Sequence, residues 1–134
     1  MSWEHATEGH RIAEWIAEKG IPAVWGPSLT ARPKWEMREL SFATPKAFYE
    51  AGVKFAIQTD AVGSSIAFLP LCAGMAVKHG LPYVDALKAI TITPAEILGV
   101  DDRVGSIEKG KDANLRILDG DPLELRTKGG DGDH

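Results

Sequence analysis

The sequence predicts an α/β fold with a parallel sheet. Two short apolar runs, residues 21–25 and 53–59, have the length and composition of buried strands, and each follows a segment with helical spacing. Another helical segment, residues 64–80, follows the second run. Because helices and strands alternate along the chain, the right-handed crossover rule favours parallel neighbouring strands.

The first half of the chain supplies both strands. Residues 7–20 carry apolar side chains at helical spacing and end on Gly20, a residue type that commonly terminates helices. Residues 28–43 mix proline with charged residues and show no clean period, so we expect a long loop there. Residues 44–52 begin with Thr-Pro, a helix cap followed by proline, and end on glycine. They are predicted to form a short helix before the second strand.

The second half begins with helices. Pro70 lies inside the helical segment 64–80 and is tolerated only in a first turn or at a kink, so that helix is expected to begin near Leu69 or to bend there. Residues 82–90 and 94–98 each have proline near their start and are predicted to be two further helices.

The C-terminal region has a different pattern. Residues 104–121 are punctuated by glycine and partly alternate in polarity, which predicts two short antiparallel strands in a small β appendage. The final GGDGDH contains no apolar residue and is typical of a disordered tail.

Composition limits the classes of partner. The chain has 134 residues, 44% hydrophobic and 25% charged, with a formal net charge of −4, so it is expected to bury a core as one globular domain. No basic stripe is present to neutralise phosphates, and no apolar run is long enough to cross a membrane. We therefore expect neither a nucleic-acid nor a membrane partner. A single cysteine favours a reducing, cytoplasmic location.

Two polar residues stand where parallel α/β folds place reactive groups, at the carboxyl ends of strands. Asp60 ends the second apolar run, and His5 would occupy an equivalent place if residues 2–4 are the tail of a strand. An imidazole and a carboxylate in one pocket suit a divalent metal, or a water that one of them deprotonates. The structural alternatives are that Asp60 closes a strand or caps the next helix, and that His5 belongs to a frayed terminus.

Structural roles are expected for the other chemically active residues. His10 is predicted to be solvated on a helix, His79 to complement a helix C-terminus, and Cys72 to fill a small place in the core. The tryptophans are expected to pack in the core and loops rather than to form a binding platform; they are Trp3, Trp15, Trp25 and Trp35.

Four blocks of the sequence share a pattern with one superfamily. They are EHATEGH at 4–10, KGIPAVWGPSLTARPKWE at 19–36, TPKAFYEAGVKFAIQTD at 44–60, and residues 69–124, which include TITPAEILG and GSIEKGKDANL. Together they resemble the C-terminal part of an amidohydrolase-superfamily enzyme, and they are most similar to the imidazolonepropionase-like and prolidase-like members.

The resemblance implies a fold and a chemistry. Such enzymes hydrolyse amide or related C–N bonds with metal-activated water, in a (β/α)8 barrel accompanied by a small β-sandwich. By position, His5 resembles the histidine that ends the sixth barrel strand, a metal ligand. Asp60 resembles the eighth-strand aspartate, which binds metal and takes the proton from the attacking water. A divalent metal, most simply zinc, is the implied cofactor.

Several family features have no counterpart in the chain. The His-x-His pair of the first strand, the Lys or Glu of the fourth and the histidine of the fifth are absent, and Ala61 stands where a His or Ser often follows the aspartate. The resemblance therefore implies a partial barrel of about strands six to eight over residues 1–100, returning sandwich strands over 101–125 and a disordered tail over 126–134.

Two functional hypotheses follow. In the first, the chain is a C-terminal fragment of a metal-dependent hydrolase of amide, lactam or dipeptide bonds. It is inactive alone and meets its small-molecule substrate only when a missing N-terminal half complements it. In the second, it is a folded, non-enzymatic chain that forms homo-oligomers through exposed sheet edges.

Overall fold

The structure is a computed structural model that describes residues 1–6, 8–29, 35, 38–60 and 64–129. Two strands and five α-helices are assigned within these ranges. In chain order they are α1 (Ala13–Lys19), β1 (Ala23–Trp25), α2 (Thr44–Ala51), β2 (Phe55–Ile57), α3 (Leu69–Lys78), α4 (Tyr83–Lys88) and α5 (Ile92–Leu98). Single 3₁₀ segments precede α1 (Gly9–Ile12) and α3 (Ser64–Phe68).

The sheet is parallel, as predicted. β1 and β2 pair in register, with Ala23 opposite Phe55 and Trp25 opposite Ile57. Trp3 forms a parallel bridge with Ala23 on the other side of β1. The segment around Trp3 therefore lies beside β1, and β1 separates it from β2.

One face of the sheet builds the core. Alternate residues of both strands point to that face and are buried; they are Ala23, Trp25, Phe55 and Ile57. The same buried cluster includes the helix residues Ile16, Phe48, Cys72 and Ala76, and Leu81 joins it from the segment between α3 and α4. All three residues of β2 are buried, which confirms the expectation of a strand buried on both faces.

The predicted helices form, with shifted starts. α3 begins at Leu69 with Pro70 in its first turn, as the proline required. Gly20 ends α1 in the left-handed conformation. The Thr-Pro prediction for α2 was wrong in one detail: Ala43 is the N-cap, and Thr44 is already the first helical residue. The Thr44 hydroxyl is engaged by His10 instead of by the helix terminus.

The loop predicted for residues 28–43 is described in part. Leu40 is buried, and the ring of Phe42 contacts both Trp25 and His79. The remaining positions of that segment, 30–34, 36 and 37, lie outside the described residues.

The two strands predicted within residues 104–121 do not form in the described structure. A single antiparallel bridge joins Leu118 to Gly129, while Ile107, Leu115 and Ile117 are exposed. Alternating polarity stabilises a strand only when a neighbouring strand and a covering layer are available, and the described residues provide neither for this segment.

The end of the chain is partly ordered. The Asp119 amide donates to the Lys128 carbonyl at 3.1 Å, and the Lys128 amide donates to Asp119 Oδ1 at 2.7 Å. These hydrogen bonds fall within the segment for which a disordered tail was predicted, and residues 130–134 lie outside the described residues. Tyr83 Oη donates to Asp121 Oδ1 at 2.7 Å, which ties this segment to α4.

The tryptophans divide into two groups. Trp25 is fully buried, as expected of a core residue. Trp3 and Trp15 pack edge to face against each other and are 39% and 43% exposed, whereas Trp35 is 75% exposed, so the expectation of packing was wrong chiefly for Trp35. No helix in the described ranges is both long enough and apolar enough to cross a membrane.

Candidate functional site

The structure brings His5 and Asp60 together. His5 follows the Trp3 bridge, and Asp60 follows β2, so the two residues leave the sheet on opposite sides of β1. Their side chains meet beyond the end of β1, where His5 Nε2 lies 3.3 Å from Asp60 Oδ2. Both side chains remain about half exposed, at 52% and 55%, so a solute can reach them.

An unusual backbone conformation accompanies this contact. His5 has φ of 52° and Asp60 has φ of 50°, and among the described residues they are the non-glycine positions with positive φ. Such conformations are uncommon outside glycine and concentrate at functional sites, although aspartate and histidine tolerate them better than most residues. The conformation turns the chain where each strand ends and lets the two side chains converge.

Gly26 makes the close approach of the strand ends possible. A Cβ at this position would lie 2.1 Å from the backbone oxygen of Gln58, and Gly26 itself has φ of 136°. The Gln58 amide donates to the Trp25 carbonyl at 2.9 Å, and Gln58 Nε2 donates to the Gly26 carbonyl at 3.4 Å. Gln58 thus holds the end of β2 against the end of β1, just before Asp60.

Sequence reasoning missed Gln58. The available signal was its place two residues before Asp60, because alternate strand residues point to the same face of a sheet. Gly26 directly follows the apolar run 21–25 in the sequence, and its contact with Gln58 is a tertiary feature that no local pattern reveals.

The donor types of His5 and Asp60 fit a divalent metal. Zinc binds imidazole nitrogen and carboxylate oxygen at about 2.0–2.2 Å, so two tetrahedral ligands lie roughly 3.3–3.5 Å apart. The 3.3 Å separation of Nε2 and Oδ2 matches that spacing. A protein zinc site normally has three or four protein ligands, and no group of three His, Cys, Asp or Glu residues is gathered in the described part of the chain. The donors fit in kind and spacing but not in number.

The two other histidines in the described residues, His10 and His79, make contacts within the fold and not at the His5–Asp60 site. His10 was expected to be solvated, but it is partly buried, and its Nδ1 lies 3.0 Å from Thr44 Oγ1. His79 follows the last residue of α3, and its Nδ1 donates to the Met75 carbonyl at 2.8 Å, in agreement with its predicted place at a helix C-terminus.

Cys72 is a core residue, as predicted. It is 1% exposed, and burial raises the pKa of its thiol, while the Ser28 hydroxyl acts in the opposite direction with a smaller effect. A buried thiol with a raised pKa is a poor nucleophile. Ala61, which follows Asp60 where relatives often carry a His or Ser, lies outside the described residues.

Known proteins share both the sequence and the fold. A family model described as the amidohydrolase family matches residues 8–131. An imidazolonepropionase from Sphingopyxis alaskensis is 35% identical over 127 residues, which cover 91% of this chain and 30% of that protein. The crystal structure of an amidohydrolase from Thermotoga maritima has a TM-score of 0.89 and 40% sequence identity, over 94% of this chain and 33% of that one.

A more distant structure carries zinc. It is an adenosine deaminase from Xanthomonas campestris with bound zinc, similar at a TM-score of 0.61 and 27% identity over 87% of this chain and 28% of that one. The chain spans about a third of the length of each of these relatives. Since the family model matches residues 8–131 of 134, the chain belongs to the amidohydrolase family.

Proposed function

We propose that this chain forms the part of a (β/α)8 barrel that holds strands six to eight, and that the complete barrel is a metal-dependent hydrolase of C–N bonds in amides, lactams or dipeptides. The observation that carries the proposal is the contact between His5 and Asp60, two residues 55 positions apart whose donor atoms lie 3.3 Å from each other. Membership of the amidohydrolase family supports the type of bond.

Each residue has a distinct role in this proposal. His5 presents the lone pair of a neutral imidazole Nε2, and Asp60 presents a carboxylate oxygen; both would hold the divalent metal, of which zinc is the simplest choice. Such a metal, when bound, polarises the substrate carbonyl and makes water more acidic. Asp60 accepts a proton from the attacking water and returns it to the leaving nitrogen as the C–N bond breaks.

The chain alone is expected to be inactive. A complete barrel of this type needs about 250 residues, and a catalytic metal site needs at least one protein ligand more than His5 and Asp60 provide. The loops after the other strands would also shape the substrate pocket. The remaining barrel strands therefore have to come from another polypeptide segment.

Zinc binding tests the two proposed ligands. We expect weak zinc binding by the parent chain, measured by competition with a chromophoric chelator under anaerobic conditions. His5→Gln and Asp60→Asn should each lower the affinity by at least about tenfold, because even outer-shell changes have effects of that size. His79→Gln is the matched control, since His79 is also exposed but lies at the end of α3. Equal affinity in all four proteins would refute the assignment of the site.

Complementation tests the proposed barrel. The part of the Thermotoga maritima amidohydrolase that this chain does not match would be co-expressed with the chain and purified with it. Hydrolysis of a panel of amides, lactams and dipeptides should require both polypeptides and zinc, and it should be absent with Asp60→Asn. Robust turnover by the purified chain alone would overturn the proposal.

A further inference from the structure

His5 is held on both sides by backbone hydrogen bonds to one residue of β1. The Val24 amide donates to the Trp3 carbonyl at 2.7 Å, and the Ala6 amide donates to the Val24 carbonyl at 3.2 Å. His5 lies between these two bonds, which continue the pattern of a parallel ladder. The backbone bonds to β1 therefore fix the place at which His5 leaves the sheet.

Asp60 lacks an equivalent pair of backbone bonds. Within the described residues, the last backbone hydrogen bond before it is the one that the Gln58 amide donates to the Trp25 carbonyl at 2.9 Å. Thr59 and Asp60 form no backbone hydrogen bond with another described residue, and residues 61–63 lie outside the described ranges. The position of Asp60 relative to β1 therefore depends on how firmly Gln58 is held.

Packing on the helix side of this strand end is incomplete. A small cavity of about 10 Å³ lies there, and Thr59 and Cys72 are among the residues that line it. Close packing restricts side chains in protein interiors, whereas residues beside a void have fewer contacts. Thr59, the residue next to Asp60, is therefore less tightly packed on that side.

The side chain of Gln58 adds a second connection to β1. Its Nε2 donates to the Gly26 carbonyl at 3.4 Å, so Gln58 bonds two consecutive carbonyls, that of Trp25 with its backbone and that of Gly26 with its side chain. Consecutive carbonyls of a regular strand point to opposite edges. The backbone departs from a regular strand at Gly26, where φ is 136°, and both carbonyls are within reach of Gln58. A side-chain bond of 3.4 Å is weak, so we expect it to direct the strand end more than to stabilise the fold.

Gly26 leaves space for this side chain. The register of the sheet places Gly26 opposite Gln58, one step beyond the pair formed by Trp25 and Ile57. A Cβ on Gly26 would lie 3.0 Å from Gln58 Cγ, which is closer than carbon atoms normally approach. The stem of Gln58 thus occupies the space that a side chain at position 26 would need. Hydrogen bonds and packing together hold Gln58 across the end of β1, two residues before Asp60.

We propose that Gln58 is a positioning residue for Asp60 at the candidate metal site. Through its second bond to the end of β1, Gln58 sets the direction in which the chain leaves β2, and this direction brings the Asp60 carboxylate to His5. The inference rests on the proposed function, since a metal site requires its ligands to lie within roughly 0.5 Å of their productive positions. Replacing residues that orient metal ligands typically changes metal affinity by about 10- to 100-fold.

Amide hydrogen exchange tests the positioning without any metal. Gln58→Met keeps the length of the side chain but removes its hydrogen-bond donor, so protection of the amide at position 58 should fall by about threefold or more. Protection of the Ala6 amide, on the other side of β1, should not change. Lys54→Met is the matched control, because it makes the same replacement just before β2 and removes the ion pair with Glu96. Unchanged protection at position 58 in Gln58→Met would overturn the proposal.

Zinc affinity tests whether this positioning serves the metal site. In the chelator competition, Gln58→Met should bind zinc about tenfold more weakly than the parent, whereas Lys54→Met should bind it equally well. In an Asp60→Asn background, Gln58→Met should have no further effect, since it acts through the Asp60 carboxylate. Urea denaturation checks that each variant is folded under the conditions of the assay.

The outcomes separate this inference from the proposed function. A tenfold loss with Asp60→Asn but none with Gln58→Met would overturn the role of Gln58 and leave the metal site in place. An equal loss from Gln58→Met with and without the Asp60 carboxylate would also overturn it, because Gln58 would then act by another route. Zinc binding that is insensitive to both substitutions would refute the proposed function and, with it, the role of Gln58 at a metal site.

Discussion

Thr44 Oγ1 lies 3.0 Å from His10 Nδ1, and this contact joins the 3₁₀ segment before α1 to the first residue of α2. Thr44 is fully buried and His10 is partly buried, so water cannot easily replace either partner. The hydrogen bond fixes how two helices that are distant in sequence pack on the same side of the sheet.

Thr44→Val tests the strength of this contact. The substitution keeps the shape of the side chain but leaves the imidazole nitrogen without its partner, so the free energy of unfolding should fall by about 1–2 kcal/mol in urea denaturation. Thr91→Val is the matched control, because Thr91 is exposed and its hydroxyl donates to the Leu87 carbonyl, four residues earlier in the chain. That control should change stability by less than about 0.5 kcal/mol.

A double-mutant cycle with His10→Phe separates the hydrogen bond from other effects of Thr44→Val. We expect a coupling energy of about 1 kcal/mol between positions 10 and 44. A coupling near zero would mean that the loss comes from packing around the new valine rather than from the hydrogen bond.

Gly26→Ala should be among the most damaging single substitutions in the sheet. The new Cβ would overlap the Gln58 backbone oxygen at 2.1 Å, and alanine does not readily adopt the φ of 136° found there. We expect a loss of about 3 kcal/mol or more in the free energy of unfolding, from strain and overlap together.

Gly20→Ala separates these two causes of the loss at Gly26. Gly20 also has positive φ, at 61°, but nothing lies within 4 Å of a Cβ at that position. Gly20→Ala should therefore lower the free energy of unfolding by about 1–2 kcal/mol, the usual cost of placing a residue other than glycine in the left-handed conformation. Similar losses at the two glycines would show that the overlap with Gln58 relaxes at little cost.

The sequence was sufficient to predict the parts of the fold that depend on local burial. The apolar runs that contain β1 and β2 are strands, and Pro70 marks the start of α3, because these patterns act within a few residues. The strand ends also led to His5 and Asp60, since side chains that follow parallel strands lie at the same edge of a sheet.

The features that sequence reasoning did not predict depend on partners that are distant in the sequence. Leu115 and Ile117 alternate as strand residues do, yet they stay exposed because no neighbouring strand is described beside them. His10 looked solvated because its partner, Thr44, is 34 residues away. Histidine and aspartate tolerate positive φ better than most residues, but residue type alone does not show which positions adopt it, and only the assembled strand ends reveal the positive φ of His5 and Asp60.

Titration of the buried Cys72 thiol should lower the stability of the folded chain at alkaline pH. Burial raises the pKa of its thiol in the folded chain, so the folded state holds its proton more tightly than the unfolded state does. The contribution of the protonated Cys72 thiol to the free energy of unfolding is complete below the pKa of an unfolded thiol, about 8.5. This contribution is lost as the pH rises through the higher pKa that the thiol has in the folded chain.

Urea denaturation of the parent and of Cys72→Ala between pH 8 and 11 measures this effect. The parent should lose stability faster with pH than the variant does. Tyr83, whose pKa is raised chiefly by its hydrogen bond to Asp121, is present in both proteins, so its effect cancels in the difference. Parallel pH profiles would show that the thiol titrates alike in the folded and unfolded chains.

In a helix an alanine variant is usually more stable than a glycine variant, and at position 60 we expect the opposite order of stability. At φ of 50° the Cβ of alanine is strained and glycine is not, so Asp60→Gly should be more stable than Asp60→Ala by about 1 kcal/mol. Glu50 is an exposed position within α2, where the helical backbone favours alanine. The free energy of unfolding of Glu50→Ala should therefore be about 1 kcal/mol higher than that of Glu50→Gly.

Because both substitutions at position 60 remove the carboxylate, the difference between their stabilities reports the backbone preference at that position and not the loss of the side chain, and neither variant should retain the zinc binding proposed for Asp60. The same order of stability at positions 60 and 50 would mean that Asp60 relaxes to negative φ in solution. Relaxation of that kind would also turn its carboxylate away from His5. The stability order thus checks, without any metal, whether the backbone holds the proposed ligands together.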